Sequence, residues 1–196
     1  MKRLRLTALL LSMTLLAACG PSGSGNIVSE DRDVGAFDSI EVSGGIALRL
    51  TADSGATAAV TVNYDDNIID LIATEVDGST LKIESKGSYT TTGGEDRFVE
   101  VSVANLQRLT ASGGADVIGN GSVGVLDLRA SGGANVDLSL LPAGEMTLEA
   151  SGGANVVVNV MDAITGSASG GANVVVEGDP PLLNIDISGG ANLSNG

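Results

Sequence analysis

A five-residue phrase recurs through the second half of the chain at nearly constant spacing. Ser-Gly-Gly-Ala-Asp begins at Ser112, and Ser-Gly-Gly-Ala-Asn begins at Ser131, Ser151, Ser169 and Ser188. The steps of 19, 20, 18 and 19 residues average about nineteen. A shorter echo, Ser43-Gly44-Gly45-Ile46, stands near the front. Self-similarity at this period marks units that bury their apolar faces only against their neighbours. Around each phrase, apolar residues alternate with polar or small ones. Leu126, Leu128 and Ala130 precede one copy, Met146, Leu148 and Ala150 the next, and Leu183, Ile185 and Ile187 the last. Val136, Leu138 and Leu140, then Val156, Val158 and Val160, then Val174 and Val176 follow in the same rhythm. Period two is the signature of a strand with one buried face. Nineteen residues hold two short strands and two turns, with no room for a crossover helix. The expected fold is all-β: a single-stranded parallel β-helix with coils of about nineteen residues, right-handed by the crossover rule.

The phrase itself reads as the corner of each coil. Paired glycines reach positive φ without strain, so Gly44, Gly45, Gly113, Gly114, Gly132, Gly133, Gly152, Gly153, Gly170, Gly171, Gly189 and Gly190 are expected as structural turn residues. Corners repeated in each coil would stack Asp116, Asn135, Asn155, Asn173 and Asn192 in one column. Such a column is either a polar ladder, each amide bonding the next, or a metal or glycan site. Calcium-binding nonapeptide repeats use more carboxylates at half this period, and only Asp116 is acidic here, so the ladder is the expected role. No metal and no cofactor are expected.

The front of the chain carries an address. Lys2, Arg3 and Arg5 precede an apolar run from Leu6 to Leu16, too short to span a bilayer and shaped like a secretory signal. It ends Leu16-Ala17-Ala18-Cys19, which resembles a bacterial lipobox. Residues 1–18 are expected as a lipoprotein signal peptide, Cys19 as the lipid attachment site, 19–32 as the lipidated N-terminus with a flexible Gly/Ser tether, and 33–196 as one domain. Cys19 is the single cysteine, so no disulfide forms within the chain. Gly rather than Asp at position 20 resembles Gram-negative lipoproteins sorted to the outer membrane.

Charge narrows the partners. The ten bases and 24 acids of the chain become seven and 24 once residues 1–18 are removed, a formal −17. Nucleic acid is a poor partner for that surface, because phosphate binding rests on Lys and Arg. The membrane is reached through the lipid. A protein or glycan surface partner remains open.

The front half is less regular. Phe37, Ile40 and Val42 lead into the Gly44-Gly45 corner, and Ile46, Leu48 and Leu50 follow as a strand. Val60, Val62 and Tyr64 make another strand, and Asp65-Asp66-Asn67 caps a short helical turn carrying Ile68, Ile69, Leu71 and Ile72. Asp77-Gly78-Ser79 reads as a hairpin turn, residues 85–96 as a loop, and Phe98, Val99, Val101 and Val103 as a returning strand. The opening Gly35-Ala36-Phe37-Asp38-Ser39-Ile40-Glu41-Val42 with its following Gly-Gly-Ile, the Asp66-Asn67-Ile68-Ile69 and Asp77 to Ile83 segments, and the Ser-Gly-Gly turns resemble the "putative auto-transporter adhesin, head GIN domain" family of bacterial exported proteins. The resemblance covers about residues 33 to 193. It implies a β-helical fold, secretion and an adhesive role, and carries no established catalytic or binding residues. The favoured Ser-Gly-Gly-Ala-Asn turn departs from the family's common Ser-Gly-Ser-Gly.

An enzyme is the contrasting possibility. Asp65 with Asp66, Glu95 with Asp96, and Asp127 with Asp137 offer carboxylate pairs of the kind that cleave glycosides. Against this, the chain has no histidine and no tryptophan, and its two Phe and two Tyr give little for stacking sugars. The expected function is therefore non-catalytic: a lipid-anchored envelope protein for adhesion or surface scaffolding. The alternative is a calcium- or glycan-binding protein using the Asn/Asp column or the 85–96 loop.

Overall fold

The structure, a computed structural model, describes residues 20–91, 94 and 96–196. The expected signal peptide and Cys19 lie outside the described residues, as do Thr92, Gly93 and Glu95 of the expected loop. Fifteen strands follow in order: β1 Ile27–Arg32, β2 Ser39–Val42, β3 Ala47–Ala52, β4 Ala59–Asp65, β5 Ile72–Asp77, β6 Thr80–Ser85, β7 Phe98–Val103, β8 Arg108–Ala111, β9 Asp116–Gly121, β10 Val123–Ala130, β11 Asn135–Ala150, β12 Asn155–Ala168, β13 Asn173–Glu177, β14 Leu182–Ile187 and β15 Asn192–Asn195. The helical turn expected after Asn67 is a single 3-10 turn at Ile69–Leu71.

All fifteen strands belong to one sheet, and that overturns the single-stranded parallel β-helix. Its main path runs β1-β4-β7-β3-β9-β11-β10-β8-β2-β6-β5, eleven strands in mixed orientation. β1 with β4, β4 with β7 and β5 with β6 are antiparallel, while the remaining neighbours are parallel. The path wraps around one core as a nearly closed barrel. Its two ends are drawn together where the Arg32 guanidinium donates to the Ile69 carbonyl, just ahead of β5. β12 to β15 continue from β11 in parallel register.

Two physical reasons explain the departure. A hairpin built on Gly78 (φ 64°) sends β6 back along β5, and the chain reverses between β3 and β4 so that β4 runs antiparallel to β7, which a repeat period confined to the second half cannot report. In two of the repeats, moreover, only one of the two expected turns is a turn. β11 and β12 run for 16 and 14 residues, and the second corner is a bend inside a continuous strand, marked by register shifts near Leu138, Ala143 and Glu145. Thus the first half of β11 pairs with β9 and its second half with β10, and the sheet turns from one side of the core to the other along a single strand.

Inward positions alternate as the period-two pattern requires. Leu48, Val117, Val136, Val156 and Val174 stack from one side, and Ala111, Ala130, Ala150 and Ala168 from the other, all at 2% exposure or less. These side chains form one contiguous apolar core from Phe37 to Val176. Burial of this kind, at about 25 cal/mol per Å2, is the main favourable term.

Within the segment expected as a tether, the described residues 20–32 lie against the body. Ser22 bridges Thr90, Gly23 N–H donates to the Thr90 carbonyl at 2.8 Å, and β1 pairs with β4 along its whole length, from Ile27 against Asp65 to Arg32 against Val60. Gly20 and Gly23 stand where the segment passes close to its neighbours. A Cβ at Gly20 would fall on the Ser88 carbonyl, and one at Gly23 would lie 2.7 Å from an Asp65 carboxylate oxygen.

Candidate functional site

The Ser-Gly-Gly corners stack directly. The first glycines form a column, Gly44, Gly113, Gly132, Gly152, Gly170 and Gly189, each with φ between 62° and 79°. A Cβ on Gly152 would meet the Gly132 carbonyl oxygen at 3.0 Å, and one on Gly170 would meet Gly152 N at 3.0 Å. Two constraints therefore coincide at these positions: left-handed backbone and close approach of the preceding corner. The second glycines differ. Gly45, Gly114 and Gly190 have positive φ, but Gly133, Gly153 and Gly171 do not, which corrects the expectation that both glycines of every corner are conformational requirements. In the inner corners the second glycine contributes its N–H instead. Gly153 donates to the Gly132 carbonyl and Gly171 to the Gly152 carbonyl, both at 2.6 Å.

Five expected column members share one register, Asp116 with Asn135, Asn155, Asn173 and Asn192, and Ala47 heads the line. Asn155 Nδ2 donates to Asn135 Oδ1 at 2.9 Å, and Asn173 Nδ2 donates to Asn155 Oδ1 at 3.0 Å. Among the described residues the amide chain thus comprises Asn135, Asn155 and Asn173. No group of three or more His, Cys, Asp or Glu is placed to hold a metal among the described residues.

The upper end of this column opens into two adjoining clefts of about 330 and 510 Å3, which share Ala47, Gly94, Arg97 and Asp116. Tyr64, Tyr89 and Asn135 are among the other residues of the first, and Arg49, Phe98 and Ile118 among those of the second. Tyr89 meets Tyr64 edge-on, with ring centroids 6.1 Å apart, and the Arg49 guanidinium lies 3.6 Å over the Phe98 ring. Three of the four aromatics of the chain therefore gather at one place, from β4, the 85–96 loop and β7. Sequence reasoning, which counted the aromatics as too few, missed this. Their positions 64, 89 and 98 give no common spacing, and only the antiparallel return of β4 and β7 brings them together.

A buried ion pair supports the clefts. Asp65 is fully buried and Arg97 is 8% exposed. The Arg97 guanidinium grips both carboxylate oxygens through Nε and Nη2, and Gly25 N–H donates to Asp65 Oδ1 at 2.6 Å. The Arg97 hydrogen bond, aided by the Gly25 amide and opposed by burial, holds the Asp65 carboxyl down to about 2. Burial pushes the neighbouring Tyr64 phenol well above its ordinary value. Asp66 points away from this pair and accepts from Ser24 Oγ at 2.6 Å and Asn26 Nδ2 at 2.9 Å.

None of the three carboxylate pairs considered for hydrolysis is assembled among the described residues. Asp65 and Asp66 are separately engaged, and Glu95 lies outside the described residues. Asp127 on β10 accepts from Arg108 Nε at 2.8 Å, whereas Asp137, in the β9-facing half of β11, accepts from Ser139.

Comparison with known proteins yields a family and a solved structure of similar fold. The family described as "Putative auto-transporter adhesin, head GIN domain" matches residues 36–123 and 108–180, more than half of the chain. A putative adhesin from Bacteroides fragilis superposes with a TM-score of 0.56 at 16% identity, covering 90% of this chain and 100% of that one. A putative adhesin from Parabacteroides distasonis gives a TM-score of 0.47 at 19% identity, covering 90% and 99%. The comparison with curated proteins finds no match.

Proposed function

Because the chain belongs to the head GIN domain family, we propose that it is a non-catalytic cell-envelope protein, exported and held to the membrane by a lipid on Cys19, whose rigid body serves adhesion or surface scaffolding. The family match carries this reading. The Leu16-Ala17-Ala18-Cys19 motif supports the anchor, and its setting supports an outer-membrane site. Among the described residues no helix is long and apolar enough to cross a membrane. The test is twofold. Cys19→Ser moves the protein from the detergent phase to the soluble periplasmic fraction with unchanged circular dichroism, and a strain lacking the gene loses surface attachment in a flow cell, restored by wild type but not by Cys19→Ser. A variant that stays membrane-bound sinks the anchor. Attachment that is indifferent to the deletion sinks the adhesive role.

One observation favours a second reading, glycan binding, over calcium binding: Tyr89 and Phe98 sit beside Asp116 and Asn135 in the paired clefts. Rings beside polar acceptors are the usual furniture of a sugar site. A glycan array read with the wild type and with Phe98→Ala tests it. Binding abolished by the substitution supports the reading, and no binding to any glycan refutes it.

A further inference from the structure

The two ends of the stacked sheet are built differently. At the front, the path ends on β1 and β5, whose edges carry Glu30, Asp31, Glu75 and Asp77, charges that discourage edge-to-edge pairing. The far end has less protection. β14 pairs only with β12, and β15 only with β13, so among the described residues each leaves one backbone edge open. The inward side chains of this last repeat, Leu183, Ile185, Ile187, Ala191 and Leu193, are half-buried or exposed, and Ile187 is 43% exposed. Their counterparts one repeat earlier, Ile164, Ala168 and Val174, are at most 1% exposed.

What covers such a surface is visible inside the chain. Each inner repeat is covered by another repeat with the same Ser-Gly-Gly-Ala-Asn corner and the same strand spacing. We propose that the open β14/β15 end docks against the same end of a second copy, forming a closed, two-fold, tail-to-tail dimer in which β14 pairs antiparallel with the partner's β14. A two-fold axis in the end plane, passing through both sides of the sheet, turns each strand against its own equivalent. The acidic front end, with its antiparallel edges, disfavours a head-to-tail chain of copies.

The register follows from polarity. When Ile185 faces the partner's Ile185, Leu183 faces the partner's Ile187 and Asn184 faces the partner's Asp186. The exposed pair is then amide against carboxylate, twice over, and the acids never oppose each other. Shifting the register by one residue either way places Asp186 opposite the partner's Ile185 or Leu183, spoiling the match of faces.

The experiment is sedimentation equilibrium on the mature chain carrying Cys19→Ser, from 1 to about 200 μM, with Asn184→Asp and Asn184→Lys alongside. Residue 184 is exposed, and thermal melts of dilute protein check that each variant folds like the parent. The parent forms a dimer. Asn184→Asp sets two carboxylates face to face at both symmetric pairs and weakens the dimer at least tenfold. Asn184→Lys tightens it by a Lys–Asp pair, with the gain lost at high salt. A monomer throughout the range overturns the proposal, as do open-ended oligomers or a dimer indifferent to both substitutions.

Discussion

At Gly152 the left-handed backbone and the close approach of Gly132 act together, so even a methyl group is penalised. Gly152→Ala should cost about 1–3 kcal/mol, from the strained φ and the contact at 3.0 Å. Gly153→Ala meets ordinary backbone and a nearest neighbour at 3.5 Å while keeping its N–H bond, and should change urea stability by less than about 0.5 kcal/mol. Equal losses at the two sites would contradict this division of labour. The pair of glycines was readable from sequence, but which one is strained was not, because that depends on how the next corner sits above it. Asp65 supplies a second test at this scale. Its carboxyl is lowered from 3.8 to about 2, so the folded state holds fewer protons than the unfolded one between those values. The stability this contributes is complete above about pH 4 and is lost as pH falls through about 2, on the order of 2 kcal/mol. Asp65→Asn should flatten the stability profile between pH 4 and 2, while lowering stability at pH 7 because the buried Arg97 loses the carboxylate it grips through two hydrogen bonds.

Within the repeats, the Asn chain is a property of the elements, not of any single residue. Asn155 both donates to Asn135 and accepts from Asn173, whereas Asn192 shares only the backbone register. These amides are exposed, so Asn155→Ala should cost about 0.5–1 kcal/mol and Asn192→Ala close to nothing in the same denaturant titration. Spacing alone placed these residues in one line, since identical corners at a constant period must fall at equivalent positions. Spacing could not say where the side-chain bonds begin and end. The long strands show the same limit. The alternation in Asn135–Ala150 is legible as strand on both sides of Leu140, but the change of side is made by a bend whose position depends on how β9 and β10 pull on the two halves.

For the molecule as a whole, the docked N-terminal segment decides how the body would stand on a membrane. Asn67 brackets that segment, donating to the Ser22 carbonyl at 2.8 Å and accepting from Ser24 N–H at 3.0 Å. If Cys19 is lipidated as proposed, the body sits against its anchor without a spacer. Proteases applied to intact envelope should then release little of the wild type by cleaving between residues 20 and 32. Asn67→Ala with Asp66→Ala should raise release several-fold, read by blotting the supernatant, and equal release would mean that the segment is loose in both. An all-β chain, the stacking interval, the corner glycines, the alternating core and the family are legible in the residues alone, because each is written in local spacing and residue type. Only in three dimensions is the sheet mixed and nearly closed, are residues 22–32 part of the body, and do Tyr64, Tyr89, Phe98 and the Asp65–Arg97 pair meet in one place. Those outcomes depend on strand direction and long-range pairing, which no local pattern records, since a strand reads the same whether its neighbour runs with it or against it.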